Sequence, residues 1–339
     1  MNLHKKNNSS IDRERNGTGD KCYKIKSWHI NSIKGASHDA KQLPCQDYCD
    51  AISVEKYSIA VVSDGHGGRR HYRSQIGSYI AVKTMLNVIN NALSDYESFL
   101  DKLSSDYSET LKKEIEEPFL KEWNNTIDEF DKDNPLTDDE IDFIEKNKIN
   151  DTNNKIRYGA TVIATVLTPD YSFGVQIGDG DLVAIMSNSH VKMLVPSDDR
   201  CQDNITTSIC DNKVTDFRHY YVSDSIPAAV VISSDGVRNT FTSDEMYCKY
   251  ALNASVYVAT GTEKPKLIDD LKERSKCGPM DDISMAIIYC PKQMKNVVKK
   301  VDSLYKGYFT RLVDTRKSAL IKSRKGIKAH YSKNKKKKK

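Results

Sequence analysis

The sequence predicts an α+β fold of antiparallel sheets covered by helices. Short apolar runs end in turn or acidic residues, as buried strands do. Several of these runs are joined by hairpin-length polar linkers. Amphipathic helical stretches fill the longer gaps, without the regular strand–helix–strand order of a doubly wound parallel sheet.

Residues 1–22 are polar, lack an apolar period and read as disordered, so the ordered body spans 23–292, with structure beginning near Lys24-Ile25-Lys26-Ser27-Trp28. Tyr57 to Val62 forms a strand running into Ser63-Asp64-Gly65. Ile76, Ile80, Leu86, Ile89 and Leu93 mark one amphipathic helix. The acidic stretch 99–147 carries Phe119, Trp123, Ile127 and Phe130 at three- and four-residue steps, which predicts two surface helices pressing those aromatics against the body. Thr161–Leu167 and Tyr171–Ile177 make a hairpin across Thr168-Pro169-Asp170, and Leu182–Met186 pairs with Val191–Val195 in another. Ala228 to Ile232 runs into Ser234-Asp235-Gly236, and Ile283 to Tyr289 follows Asp281-Asp282 directly. Val297, Val301, Leu304, Tyr308 and Leu312 place a C-terminal helix in 293–321, ahead of a polybasic tail at 322–339.

Composition narrows the class. No apolar run approaches the roughly 20 residues needed to span a bilayer, and the N-terminus lacks the apolar stretch of a secretory signal, so a cytoplasmic protein is expected. The eight cysteines are scattered without a Cys-x-x-Cys pair; they read as free thiols, Cys45 and Cys49 included, rather than as zinc ligands. The net charge of +5 is a matter of location: Lys322 to Lys339 holds ten Lys or Arg and no acid, leaving about −5 for the rest. That tail reads as a solubilising end or as an anchor for nucleic acid or anionic lipid. Without interleaved aromatics, any nucleic-acid contact would be independent of sequence.

Candidate chemistry lies in aspartates at strand ends: Asp64, Asp179, Asp235 and Asp281. A carboxylate there is held firmly yet faces a loop-lined cleft. Several converging would repel one another unless a divalent cation sat among them, and oxygen donors select a hard ion, Mg²⁺ or Mn²⁺, over zinc. A lone Asp-Gly is an ordinary turn. The string Asp64-Gly65-His66-Gly67-Gly68 after an apolar strand contains more than a turn requires.

That string resembles the signature of the metal-dependent, type 2C (PPM) serine/threonine protein phosphatases. Gln46-Asp47 is similar to the family's early acidic motif, Gly159-Ala160-Thr161 to its Gly-Ser/Thr-Thr strand start, and Gly178-Asp179-Gly180-Asp181 to its Gly-Asp-Ser-Arg motif. Ser234-Asp235-Gly236 and Asp281-Asp282-Ile283-Ser284 resemble the later metal motifs, and the likeness runs from about Trp28 to Tyr289. It implies a four-layer α-β-β-α sandwich, two antiparallel sheets face to face with helices on both outer faces. It further implies hydrolysis of phosphoserine and phosphothreonine in protein substrates by a water activated between two Mn²⁺ or Mg²⁺ ions. On that resemblance Asp64 bridges the ions, the Gly65 carbonyl is a further ligand, Asp235 and Asp281 complete the first ion's shell, Asp47 holds water nearby, and His66 is the general acid. Asp179 contributes to a weaker third ion.

Three departures stand out. Gln42 occupies the position, five before Asp47, where a phosphate-clamping arginine is usual; Lys41, His38, Arg69 and Arg70 are possible substitutes. Asn239 stands where an aspartate normally helps Asp179, which weakens a third site, and Asp282 replaces the usual asparagine. A second reading is therefore a catalytically weak or inactive domain of the same fold that binds a phosphoprotein. A third, a nucleic-acid-binding protein, rests on the tail alone.

Overall fold

A computed structural model describes residues 25–195, 198–201, 206–211, 217–261 and 264–304. The segment read as disordered and the polybasic tail lie outside these residues.

Among the described residues, ten strands form two five-stranded sheets in which every pairing is antiparallel. The first has the order β1 (Lys26–His29), β10 (Met285–Tyr289), β9 (Ala229–Ser233), β6 (Asp181–Ile185), β7 (Val191–Met193). The second runs β2 (Tyr48–Ser53), β3 (Ser58–Ser63), β4 (Val162–Leu167), β5 (Ser172–Ile177), β8 (Arg218–Val222). The helices are α1 (Ala36–Ala40), α2 (Ser74–Ala92), α3 (Tyr96–Ser105), α4 (Tyr107–Leu111), α5 (Glu117–Asp133), α6 (Asp138–Asn147), α7 (Asp235–Arg238), α8 (Asp244–Thr260), α9 (Lys264–Cys277) and α10 (Pro291–Leu304).

The period of two along a strand explains the layering. In β3, Ala60 and Val62 face the apolar core shared by the sheets and α8–α10, while Ile59 and Val61 face the core under α2 to α5. A strand buried on both faces reads as a continuous apolar run, which is why β3, β4, β5 and β9 were legible. The result is the expected four-layer sandwich. No helix among the described residues is long and apolar enough to cross a membrane.

Three expectations need correction. The stretch 99–147 is not two surface helices: it holds α3, α4, a π turn at Lys112–Glu116, α5 and α6, with Phe119, Trp123 and Ile127 fully buried. The strand placed at Val191–Val195 ends at Met193. Strands β1, β2 and β8 were not anticipated, because all three are edge strands carrying polar residues: β1 reads Lys-Ser-Trp-His, Asp50 of β2 pairs with Lys83 at 2.6 Å, and β8 reads Arg-His-Tyr-Tyr-Val. The C-terminal helix begins at Pro291, and its expected extension past Leu304 lies outside the described residues.

Trp123 pins α5 to α2 by packing and by donating from Nε1 to the Gly77 carbonyl at 3.3 Å. Trp123→Ala should lower the unfolding free energy by about 3–5 kcal/mol, the cost of a large core cavity, as read from urea denaturation. A loss below 1 kcal/mol would show that the helical layer is not integral to the core.

Candidate active site

Register alone gathers the aspartates. Tyr48 pairs with Ser63, so Asp47, before β2, and Asp64, after β3, emerge at one end of the second sheet. Met285 pairs with Ser233, so Asp281, before β10, and Asp235, after β9, emerge together from the first. Asp179 sits in the turn between β5 and β6, which belong to different sheets. Asp64, His66, Asp179, Asp235 and Asp281 line one cleft of about 970 Å³. Asp47 lies behind it, buried, accepting from Ser234 Oγ at 2.7 Å.

The backbone is fastened around them. Asp64 N–H donates to Thr161 Oγ1 at 3.0 Å and Thr161 N–H returns to the Asp64 carbonyl at 2.8 Å. His66 N–H reaches the Gly159 carbonyl at 3.0 Å. The Gly159-Ala160-Thr161 string thus acts as the pairing partner of the Asp-Gly-His string. The glycines after the aspartates permit close approach: a Cβ on Gly65 would lie 2.6 Å from the Gln46 carbonyl oxygen, and one on Gly236 would lie 2.0 Å from that of Asp282.

Asp282 does not face the cleft chemistry. Its buried carboxylate accepts from Gly35 N–H at 2.6 Å, Gln46 N–H at 2.5 Å and His38 Nδ1 at 2.9 Å, tying the segment that leads to Asp47 onto β10. His38 is consumed there and is no phosphate clamp. Lys41 and Gln42 do not line the cleft, whereas Arg69 and Arg70 do. Asn239 donates to Asp235 Oδ2 at 2.9 Å.

Crowding shapes the electrostatics. Burial, then Asp47, Asp235, Asp281 and Asp179, raises the Asp64 carboxyl well above the usual range. Burial and Asp282 do the same to Asp47, and burial with Asp179 pushes Asp235 up to about 6. Burial also raises Asp281. One buried carboxylate was passed over in the sequence: Asp181, raised to about 7 by burial, with an Oδ2 that has no hydrogen-bond partner. Its place in the Gly178-Asp179-Gly180-Asp181 string was the available signal. His66 is shifted oppositely: burial, His71 and Arg70 lower it to about 3. The His66 ring meets that of His71 edge-on at 5.0 Å, and its Nε2 is buried without a hydrogen-bond partner.

Among the described residues no three carboxylate, imidazole or thiol side chains stand in an arrangement that could by itself hold an ion. The donor set nevertheless fits a hard divalent cation, because Mg²⁺ keeps most of its waters and needs only one or two carboxylates from the protein. Buried carboxyls that raise one another are the groups such an ion would relieve.

Solved structures share the fold at low identity. A bacterial serine phosphatase is 12% identical, with a TM-score of 0.50 over 78% of this chain and 98% of that one. The catalytic domain of the serine/threonine protein phosphatase PstP, solved in complex with two manganese ions, is 13% identical, with a TM-score of 0.49 over 78% and 98% of the two chains. The S. agalactiae serine/threonine phosphatase is 17% identical, with a TM-score of 0.45 over 78% and 99%. At these identities the likeness is one of fold. No curated protein matches the chain at a significant level. The protein phosphatase 2C profile, by contrast, matches residues 34–271, most of the chain and all but the last of the strand-end aspartates, and the chain belongs to the protein phosphatase 2C family.

Proposed function

We propose that the chain is a working metal-dependent protein phosphatase that hydrolyses phosphoserine and phosphothreonine. The observation that carries this reading is the buried, unpartnered Nε2 of His66 lining the same cleft as Asp64, Asp179, Asp235 and Asp281. Asp64, the Gly65 carbonyl, Asp235 and Asp281 would hold two divalent ions, Mn²⁺ or Mg²⁺, and Asp179 would serve a third position weakened by Asn239. When bound, the ions supply the positive charge that draws in the phosphate and acidifies the attacking water.

The other steps belong to the chain's own residues. Arg69 and Arg70 attract the phosphate at the cleft mouth. Asp47, oriented by Ser234, accepts a hydrogen bond from the water that attacks. His66 Nε2 hands a proton to the departing serine or threonine oxygen. With its value depressed to about 3, His66 is neutral at pH 7 before substrate arrives; a phosphate dianion against Nε2 favours the imidazolium, so proton and phosphate enter together. The same depression is the observation that favours the second reading, a phosphoprotein-binding domain of low activity. The phosphoprotein is met in the cytoplasm, in keeping with the unpaired thiols of Cys45, Cys49, Cys201, Cys210, Cys248 and Cys290, and the lysine-rich end adds non-specific contact with polyanions.

Turnover of p-nitrophenyl phosphate with Mn²⁺, and its disappearance in chelator, tests the reading. Inactivity in both conditions would leave the binding domain. Asp64→Asn should cost the most of any single change; near wild-type turnover in that variant would mean the ions are held elsewhere.

His66→Ala should slow phosphopeptide hydrolysis about 10²–10⁴-fold and p-nitrophenyl phosphate far less, since nitrophenolate leaves without a proton. Equal losses on both substrates would remove His66 from the acid role.

The raised carboxyls also predict a pH effect. Unfolded, they titrate near 4, so the folded ion-free chain binds more protons across neutral pH and loses stability as pH rises, until each folded value is passed. Unfolded His66 is protonated below about 6.5, so its opposing contribution fades by about pH 7.5, above which the carboxyls still protonated in the fold govern the fall, Asp47 and Asp64 among the raised groups and Asp181 up to about 7. In chelator, stability should fall with a slope of about 1.4 kcal/mol per pH unit for each group still titrating. Added Mn²⁺ should raise Tm most at pH 8. A flat profile in chelator would contradict the burial of these groups.

A further inference from the structure

The segment 138–150 takes no part in the chemistry above, yet it is pinned at both ends by arginines. Arg73, 4% exposed, grips Glu140 of α6 through two hydrogen bonds of 2.6 and 2.7 Å, and also donates to Tyr158 Oη and to the Asn134 and Pro135 carbonyls. Arg157 donates to both oxygens of Asp151 at 3.2 and 2.6 Å. Asp131 accepts from both arginines, at 3.3 and 3.4 Å. Each arginine belongs to a segment next to the chemistry: Arg73 follows the Asp64–Gly68 string and Arg157 precedes Gly159. Between the pins, Asn147, Lys148, Ile149 and Asn150 line the cleft beside Asp64 and His66.

Helix α6 has two faces. Glu140, Phe143, Ile144 and Asn147 fall at i, i+3, i+4 and i+7 and turn toward the body, where Phe143, still 37% exposed, meets the Tyr72 ring edge-on at 6.1 Å. Asp138, Ile141, Asp142 and Glu145 share the other face by the same spacing, and all four are exposed, Ile141 by 41%. Of the helix's carboxylates, Glu140 alone has an ion pair among the described residues. The outer face is thus one apolar side chain among three uncompensated carboxylates, on a helix about 15 Å long that leads into the cleft wall.

We propose that this face reads the protein segment flanking the phosphorylated residue, and that the segment it accepts carries lysine or arginine beside an apolar side chain; the inference rests on the phosphatase reading. Charge complementarity selects the occupant. Arg69 and Arg70 in the cleft receive the phosphate, while the carboxylates of α6 attract a basic flank and repel an acidic one. An extended chain advances about 3.3 Å per residue, so the helix spans about four residues of substrate. The arginine pins hold the wall in place before binding, which reduces the ordering cost of recognition.

The test uses the full chain with Mn²⁺, p-nitrophenyl phosphate, and two phosphoserine peptides of equal length flanked by Lys/Leu or by Glu/Leu. The basic peptide should have a kcat/KM about tenfold higher at low salt, chiefly through KM, and the advantage should shrink at high ionic strength. The triple change Asp138→Lys, Asp142→Lys, Glu145→Lys should abolish or invert the ratio, with an unchanged circular dichroism spectrum showing that the helix persists. No turnover of p-nitrophenyl phosphate overturns the phosphatase reading and this role with it. Turnover with equal kcat/KM on both peptides, or a ratio the triple variant leaves intact, overturns this role alone. So does a gain on the basic peptide from deleting 322–339 that the triple variant cancels, since the face then holds the chain's own lysine-rich end. A dimer that the triple variant dissolves would likewise assign the face to a second copy.

Discussion

Like charges forced together at the meeting edge of two sheets are the constraint on which the rest of the structure depends. Beyond burial, the largest influences on the Asp64 carboxyl are the carboxylates of Asp47, Asp235, Asp281 and Asp179, and each raises it. In a low-dielectric setting such a group is protonated or neutralised by a cation. Much of the surrounding fold works to hold this unfavourable arrangement. Ser234 bridges the sheets, donating from Oγ to Asp47 while accepting from Ser284 N–H at 3.0 Å. Asp282, one residue from Asp281, is satisfied by three donors and fixes the entry to β2. Two adjacent carboxylates therefore do opposite work, one exposed to the cleft and one spent on structure.

The histidine beside this centre shows the opposite balance. Carboxylates nearby would be expected to raise an imidazole, yet burial, His71 and Arg70 lower His66. His71 is held by its own Nδ1 contact with the Ile156 carbonyl at 2.6 Å. Gly159 is what allows this packing, since a Cβ there would stand 2.3 Å from the His71 ring. The strand end at Asp64, the Gly159-Ala160-Thr161 string and the histidine pair are thus one packed unit, and a charge entering the cleft acts on all of it.

Behind that unit lies a second ionic centre of different character. Arg73 and Arg157 share Asp131 and separately hold Glu140 and Asp151. Here the charges are opposite and hydrogen-bonded, so burial is compensated, and removing one partner would strand the others. This pairing joins α2, α5, α6 and the turn before β4 into a rigid support for the cleft wall. The repulsive centre gathers like charges in the cleft, and the attractive one fixes the position of its wall.

Much of this was legible in the sequence because buried strands write themselves as apolar runs. Strand β3 followed by Asp64, β9 by Asp235, and β10 preceded by Asp281 were all visible, as was the pairing of β4 with β5. The edge strands β1, β2 and β8 were not, since an edge tolerates Lys26, Asp50 or Arg218 where a central strand would not. Nor was the depth of α5: an amphipathic stripe says that a face is covered, not that Trp123 is fully enclosed by a further layer of helix. The sequence by itself determined which carboxylates stand at strand ends and that glycines follow them. Only the tertiary structure decided that the antiparallel registers bring those ends to one edge, that Asp282 turns away while Asp281 does not, and that Arg73 and Arg157 meet over Asp131. The physical reason is that local pattern fixes burial and period, whereas the direction of a buried charge is set by partners 58 to 247 positions away.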